Sequence, residues 1–281
     1  MENGKLYLVP TPIGNLKDIT LRALEVLKNV DVIAAEDTRQ TLKLLNHFEI
    51  KKSLMSYHKH NEMSKGEDII SKLKSGLNIA IVTDAGTPGI SDPGAVIVEK
   101  CIAENLEFEV LPGATAFTTA LVYSGLDTTK FEFRGFISRD TKERRETIEE
   151  IKNSRNTIII YESPYRVKST LELLLKELGD RKIALCRELT KLHEEIIRGS
   201  IKEVIDAVED RNIKGEFVIV ISGKTQEQVD EENKEKWADI DVKQHLINLI
   251  DEGMTKKEAI KAVSKERGLS KNEVYKIAID I

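Results

Sequence analysis

Short apolar runs alternate with longer segments whose apolar residues recur at helical spacing, beginning at the first residues of the chain. KLYLVP at 5–10 predicts a strand, and ITLRALEVLKNV at 19–30 predicts a helix with one apolar face. The same alternation predicts strands at 31–35, 53–57 and 107–111, and helices at 38–48, 63–73 and 114–124. NIAIVT at 78–83 is apolar without alternation, the pattern of a strand buried on both faces. The next helix is predicted over 93–104, with Asp92 as its N-cap and Pro93 preorganising the first turn. Strands that alternate with helices require crossover connections, so this half reads as an α/β domain with parallel strands.

The pattern relaxes over 125–130 and a second series begins. Strands are predicted at 131–136, 156–161, 182–188, 195–200 and 216–222. A charged helix is predicted at 141–153, and a second one starts at Pro164 and stops at Gly179. The strands at 182–188 and 195–200 have no helix between them, so this half reads as a mixed sheet. The segment 226–239 is acidic and poor in apolar residues, a linker composition, and a helical piece follows it. The divisions are therefore 1–125, 126–225, a linker at 226–240 and helices at 241–281.

A length of 281 residues agrees with about 100–200 residues per domain. Hydrophobic content of 40% beside 32% charged residues is that of a folded globular chain. The two cysteines, Cys101 and Cys186, stand far apart with no CxxC partner, which argues against a disulfide framework or a Cys-based zinc site. No apolar stretch approaches the roughly 20 residues that span a bilayer, and the N-terminus lacks a basic segment and apolar run. A cytoplasmic protein without membrane contact is the expectation. A formal net charge of −5 argues against a nucleic-acid partner for the chain taken as a whole.

DAGTPGISDPG at 84–94, directly after the doubly buried strand, holds three Gly, two Pro and two Asp in eleven residues. Ligands of open α/β sheets bind beyond the carboxyl ends of strands, where glycine lets backbone approach closely. The loop lacks GK[ST], which disfavours a triphosphate, and lacks GxGxxG, which disfavours a dinucleotide. LPGATA at 111–116 and PTPIGN at 10–15 follow other strands of the same sheet and reach the same edge. His58 and His60 are two apart in a polar loop without further ligands, so no metal is expected.

These segments, with DIT at 18–20, EDTR at 36–39 and YESPYR at 161–166, together resemble the tetrapyrrole methylase superfamily over residues 5 to about 223. Within it they resemble most the branch that methylates a cytidine 2′-hydroxyl in 16S ribosomal RNA. The resemblance implies two α/β domains with S-adenosylmethionine in the cleft between them, in a homodimer, with the small C-terminal helical domain appended here. It implies cofactor contacts from Ile13, Asp84, Gly86, Thr87, Pro88, Gly89, Thr115 and Ala116, and an adenosine pocket at Tyr161, Leu189 and Phe217. Proton removal from a ribose hydroxyl calls for a base. The candidates at the same sheet edge are Glu36, Asp37 and Arg39, then His58, Asn61 and Glu62. Glu36 or Asp37 is the preferred base or its positioner, with Arg39 on an RNA phosphate. Asp37 is equally suited to capping the helix from Thr38.

From Met254 to Ile281, seven Lys or Arg face four Asp or Glu, and two short helices meet at Gly268 in a helix-turn-helix-like arrangement. Arg134, Arg139, Lys142, Arg144 and Arg145 form another basic cluster. Both suit an RNA partner, although a three-helix bundle without nucleic-acid contact and a solvated charged helix fit the same patterns; the resemblance implies 16S rRNA, within the 30S subunit, as that partner. The alternatives are C-methylation of a corrin or tetrapyrrole precursor, methylation in diphthamide synthesis, and a non-catalytic nucleic-acid-binding protein.

Overall fold

The computed structural model describes residues 2–212, 214–230, 237, 240–279 and 281. Its chain divides into two compact units, Met1–Glu149 with Thr157–Ser222, and Glu150–Asn156 with Gly223–Ile281.

The first unit holds both sheets. Strands β1 (Leu6–Leu8), β2 (Val32–Ala35), β3 (Ser53–Ser56), β4 (Ile79–Val82) and β5 (Phe108–Val110) form a sheet in the order β3-β2-β4-β1-β5. Every pairing in it is parallel. β4 is buried at all four positions, as its unbroken apolar run requires. Helices α1 (Leu21–Asn29) and α2 (Thr38–His47) are capped by the Thr20 and Asp37 side chains. Ala23, Leu27 and Leu45 of these helices share one core cluster with Ile33 and Val82. On the other face, α3 (Glu62–Lys74) and α4 (Ala95–Ala103) bring Ile69, Leu73, Ile97 and Cys101 to Leu6, Ile79 and Ile81. Parallel strands covered on both faces place all the βα loops at one edge.

The second sheet is mixed, in the order β6-β7-β10-β8-β9, from β6 (Phe131–Phe136), β7 (Thr157–Glu162), β8 (Lys182–Arg187), β9 (Glu195–Ser200) and β10 (Phe217–Ile221). β6 and β7 are parallel, while β10 is antiparallel to β7 and β8, and β8 is antiparallel to β9. The turn from β8 to β9 puts Glu188 at φ 50° and Thr190 at φ 66°. Helix α5 (Ala116–Ser124), which ends the first half, packs on β7, β8 and β10, and Ala120 and Leu121 join Ile159, Cys186 and Val220 in one cluster. That packing joins the two sheets in a single unit. The charged helix α6 (Thr141–Asn153) follows β6, and α7 (Val167–Leu178) follows β7. An additional helix, α8 (Ile201–Val208), follows β9 with a Ser200–Glu203 capping box.

Two helix starts differ from the sequence expectation. α4 begins at Ala95 with Gly94 as its cap, so Asp92 is not an N-cap and Pro93 is not its first residue. The Gly89 N–H donates to the Pro93 carbonyl at 3.1 Å, and this closes the loop through Gly94 at φ 143° before the helix can start. α7 begins at Val167, three residues beyond Pro164. The buried Glu162 carboxylate accepts from the Ser163 N–H at 2.8 Å, and Arg166 donates to the Ile137 carbonyl at 2.8 Å, so residues 163–166 are held as a turn.

In the second unit, α9 (Val242–Asp251), α10 (Lys256–Arg267) and α11 (Lys271–Ala278) surround Leu246, Ala259, Val263, Val274 and Ala278. Trp237 stacks on His245 at 3.9 Å, with Arg267 over its ring at 5.1 Å. The linker expected at 226–239 falls in part outside the described residues. Among the described residues no helix is long and apolar enough to cross a membrane.

Gly94 carries a specific cost of change. A Cβ there lies 2.9 Å from the Gly89 nitrogen, in a φ region that L-residues rarely adopt. Gly94→Ala should lower unfolding stability by about 1–3 kcal/mol, measured by urea denaturation. An unaltered midpoint would show that the loop opens without cost.

Candidate functional site

The βα loops of the first sheet are tied to one another by backbone. Thr11 donates its N–H to the Gly86 carbonyl at 2.9 Å, and Gly86 returns its own to the Thr11 carbonyl at 3.0 Å. The Thr11 hydroxyl donates to the Thr83 carbonyl at 3.1 Å, and the Thr87 hydroxyl to the Ala114 carbonyl at 3.2 Å. Gly113 lies so close to Pro10 that a Cβ would be 2.3 Å from the Pro10 Cβ. The three loops foreseen at one sheet edge thus form a single platform. Across from it stands the second sheet: a Cβ on Gly14 would meet the Thr190 hydroxyl at 2.7 Å.

Between platform and second sheet lies a cleft of about 380 Å³, within the roughly 300–1,000 Å³ of small-molecule sites. Of the expected cofactor residues, Ile13, Asp84, Gly86, Thr87, Thr115, Ala116, Tyr161, Leu189 and Phe217 line it, while Pro88 and Gly89 do not. Pro88 and Gly89 instead shape the loop whose closure runs through Gly94. Apolar side chains come from both sides, and the Tyr161 ring is held edge-on by Phe133 at 4.9 Å and Phe136 at 5.6 Å. Burial pushes the Tyr161 hydroxyl up to about 12, so it stays protonated at neutral pH.

The polar side of the cleft is acidic. Glu36, Asp84, Asp92, Glu162 and Glu216 line it, and no Lys or Arg does so among the described residues. The Asp37 N–H donates to Asp84 at 3.1 Å, and the Asp84 N–H donates to Glu36 at 3.5 Å, linking the ends of β2 and β4. Burial raises the Glu36 carboxyl; the Asp84 N–H lowers it, the Asp84 charge adds to the rise, and His58 opposes it. Glu162 is fully engaged by the Ser163 N–H and by the Thr170 hydroxyl at 2.7 Å. Glu216 pairs with Lys191 at 2.9 Å. Asp92 has no hydrogen bond or ion pair among the described residues. Its burial, added to by the charges of Glu36, Asp84 and Glu216, pushes it up to about 6. Asp92 is the residue that sequence reasoning misassigned: its spacing before a proline imitates a helix cap.

The other catalytic candidates separate. Asp37 caps α2 and holds Arg39 at 2.9 Å, and that guanidinium keeps Asp37 down at about 2. The Arg39 side chain is 87% exposed outside the cleft. His58, Asn61 and Glu62 do not line the cleft either. Asn61 accepts from the His58 N–H at 2.8 Å and donates to the Ser56 hydroxyl at 3.1 Å. The His58 Nδ1 and a Glu62 oxygen are buried without a hydrogen-bond partner among the described residues. Among those residues no group of three or more His, Cys, Asp or Glu is placed to hold a metal.

A ligand suited to this cleft carries an apolar or aromatic part and positive charge. Residues 5–205 match the family described as Tetrapyrrole (Corrin/Porphyrin) Methylases. The chain belongs to the tetrapyrrole methylase family. Curated relatives span nearly all of it. A Bacillus subtilis protein named "Ribosomal RNA small subunit methyltransferase I" is 51% identical over 97% of this chain and 93% of its own length. A Thermotoga maritima protein of the same name is 47% identical over 79% of this chain and 99% of its own length. Solved structures share the methylase fold. A diphthine synthase matches with a TM-score of 0.64 at 16% identity, covering 79% of this chain and 91% of that one. A Thermus thermophilus uroporphyrin-III-C-methyltransferase matches with a TM-score of 0.57 at 20% identity, covering 78% and 94%.

The raised Asp92 implies a measurable strain. An aspartate with a higher pKa folded than unfolded binds more protons when folded, so stability falls as pH rises from about 4, the unfolded value, to about 6. Asp92→Asn should therefore raise the melting temperature at pH 8, with the gain shrinking toward pH 5. A gain that is independent of pH would show that Asp92 ionises normally.

Proposed function

We propose that this chain is an S-adenosylmethionine-dependent methyltransferase that methylates a cytidine 2′-hydroxyl in 16S rRNA, with the 30S subunit as substrate and a homodimer as the working form. The observation that carries the methyl-transfer reading is the cleft itself: a glycine-built platform, an apolar and aromatic wall, and carboxylates with no lining cation among the described residues. Residues 1–125 and 126–225 supply its two walls in this reading, and the protein acts in the cytoplasm. The names of the near full-length relatives direct the substrate choice toward ribosomal RNA.

The residues present fit the cofactor. Gly86 lines the floor at φ 84°, a conformation that L side chains rarely adopt, so its bare backbone is offered to a ligand there. Ile13, Leu189, Phe217 and Tyr161 suit an adenine face, Thr87 and Thr115 suit ribose or tail hydrogen bonds, and Asp84 suits the ammonium. When bound, S-adenosylmethionine supplies an electrophilic methyl group on a cationic sulfur.

Asp92 is the proton acceptor in this mechanism. Of the carboxylates in the cleft, Glu162 is engaged, Glu216 is paired and Asp84 caps the β2 end, whereas Asp92 is unpartnered. With S-adenosylmethionine bound as the methyl donor, its carboxylate would take the proton of the ribose 2′-hydroxyl that accepts the methyl group. A base with a pKa near 6 is ionised at neutral pH yet more basic than an ordinary aspartate. Glu36, beside it in the cleft, orients the ribose, and His58, whose N–H donates to Asn61, opposes the rise of the Glu36 carboxyl. Arg39 meets phosphate outside the cleft. A depression of about 440 Å³ shares Ile13, Asp84 and Glu216 with the cleft and bears Lys43 and Lys191, a path for a polymeric substrate.

Transfer of labelled methyl groups to 30S particles lacking the modification, followed by mapping of ribose methylation, tests the function. Methylation of a tetrapyrrole with none on 30S would overturn it. Asp92→Asn should reduce kcat by about 10²–10⁴-fold and abolish the acid limb near pH 6, with cofactor affinity close to that of the parent. If Asp92 instead served the cationic sulfur, the variant would lose affinity for S-adenosylmethionine far more than for its demethylated, neutral product.

A further inference from the structure

The bundle of α9, α10 and α11 buries one face of each helix in its own core, which leaves the groove between α10 and α11 without a partner among the described residues. Lys256, Lys257 and Lys261 of α10 line one side, and Lys271 and Tyr275 of α11, with Ile279 at its end, line the other. The groove encloses about 670 Å³, and no described acidic residue lines it. None of the four lysines makes a hydrogen bond or ion pair among the described residues. Tyr275 is 58% exposed and Ile279 62%.

The position of these lysines works against helix stability. Lys256 and Lys257 are the first two residues of α10, and Lys271 is the first of α11. A helix N-terminus carries partial positive charge, so cations there are disfavoured. Each first turn holds one acid, which closes a capping box and offsets part of that charge. Glu258 accepts from the Thr255 N–H at 2.9 Å, and Glu273 accepts from the Ser270 N–H at 2.9 Å. Lysine, helix-end charge and an exposed aromatic ring therefore converge on one groove. What relieves all three is a polyanion that also offers flat, unpaired rings.

We infer that this groove binds a single-stranded stretch of RNA, with Lys256, Lys257, Lys261 and Lys271 on its phosphates and Tyr275 stacked on an unpaired base. The inference rests on the reading that the substrate is an RNA. Single-stranded RNA is favoured over duplex because Tyr275 presents a ring face that only an unstacked base can use. It also explains how a chain with a net charge of −5 holds an anionic polymer: affinity resides in a local patch.

The test uses the full chain and a short fluorescein-labelled RNA strand, read by anisotropy across a salt series. The quadruple variant K256A/K257A/K261A/K271A should lose at least about tenfold in affinity at low salt. Its slope of log K against log salt should flatten by up to about 3, from about 0.7 per phosphate contact on a single strand. A control with four exposed lysines of the other unit changed, K28A/K51A/K182A/K202A, should match the parent. Tyr275→Ala should weaken binding about tenfold and Tyr275→Phe should restore it, since the ring does the stacking. Circular dichroism and melting of each variant separate lost binding from lost folding. A groove quadruple that binds like the control quadruple overturns the inference. So does a Tyr275→Ala variant at parental affinity, which reduces the groove to an unspecific basic patch, or tighter binding of a duplex than of the single strand. Methyl transfer to 30S by the unaltered chain is measured separately. Transfer without any effect of the groove variants on RNA binding refutes the groove alone, whereas absence of both transfer and RNA binding refutes the functional reading beneath it.

Discussion

Two backbone hydrogen bonds between Thr11 and Gly86 are the constraint on which the site depends. They fasten the loop after β1 to the loop after β4, and Gly86 can take part only because its φ of 84° is open to glycine. From that bridge the remaining placements follow. Thr87 is held against the loop after β5, Ile13 is delivered to the core under the second sheet, and Asp84 stands where β2 and β4 end. The bridge between the first two loops is a main-chain contact, and Thr87, Asp84 and Glu36 add side-chain hydrogen bonds to it, whereas Asp92 faces the cleft without such a duty.

Much of this was legible in the sequence because period and punctuation dominate in an α/β chain. The unbroken run in β4, the glycines after it and the lack of a helix between β8 and β9 each dictated a feature that the structure has. What was not legible depended on contacts distant in sequence. Asp92 before Pro93 has the local grammar of a helix start, but the Gly89 N–H to Pro93 bond and the turn through Gly94 delay the helix and release the carboxylate toward the cleft. Pro164 misleads in the same way, since Glu162 and Arg166 hold residues 163–166 in a turn. Helix α8 is short, although its Ser200–Glu203 box was readable. Phe136 and Glu216 join the cleft from strand ends with no motif around them, and only the mixed pairing of the second sheet brings them there.

The charge distribution carries a related lesson. An overall value of −5 averages an acidic cleft with a groove of unpaired lysines, and these demand opposite ligands. The cleft repels phosphate and accepts a cation; the groove does the reverse. A single surface could not serve both a positively charged donor and a negatively charged acceptor. On the reading proposed above, segregating the two signs would let one chain bind both without mutual competition.

Trp237, stacked on His245 and covered by Arg267, is the only tryptophan in the chain, and it belongs to the helical unit. Intrinsic fluorescence excited in the indole band is therefore a local gauge of that unit, blind to the two sheets. Far-ultraviolet dichroism, by contrast, averages over every helix and strand. Any difference between the two signals during melting reads directly as the independence of the bundle from the catalytic body, with no label attached to either.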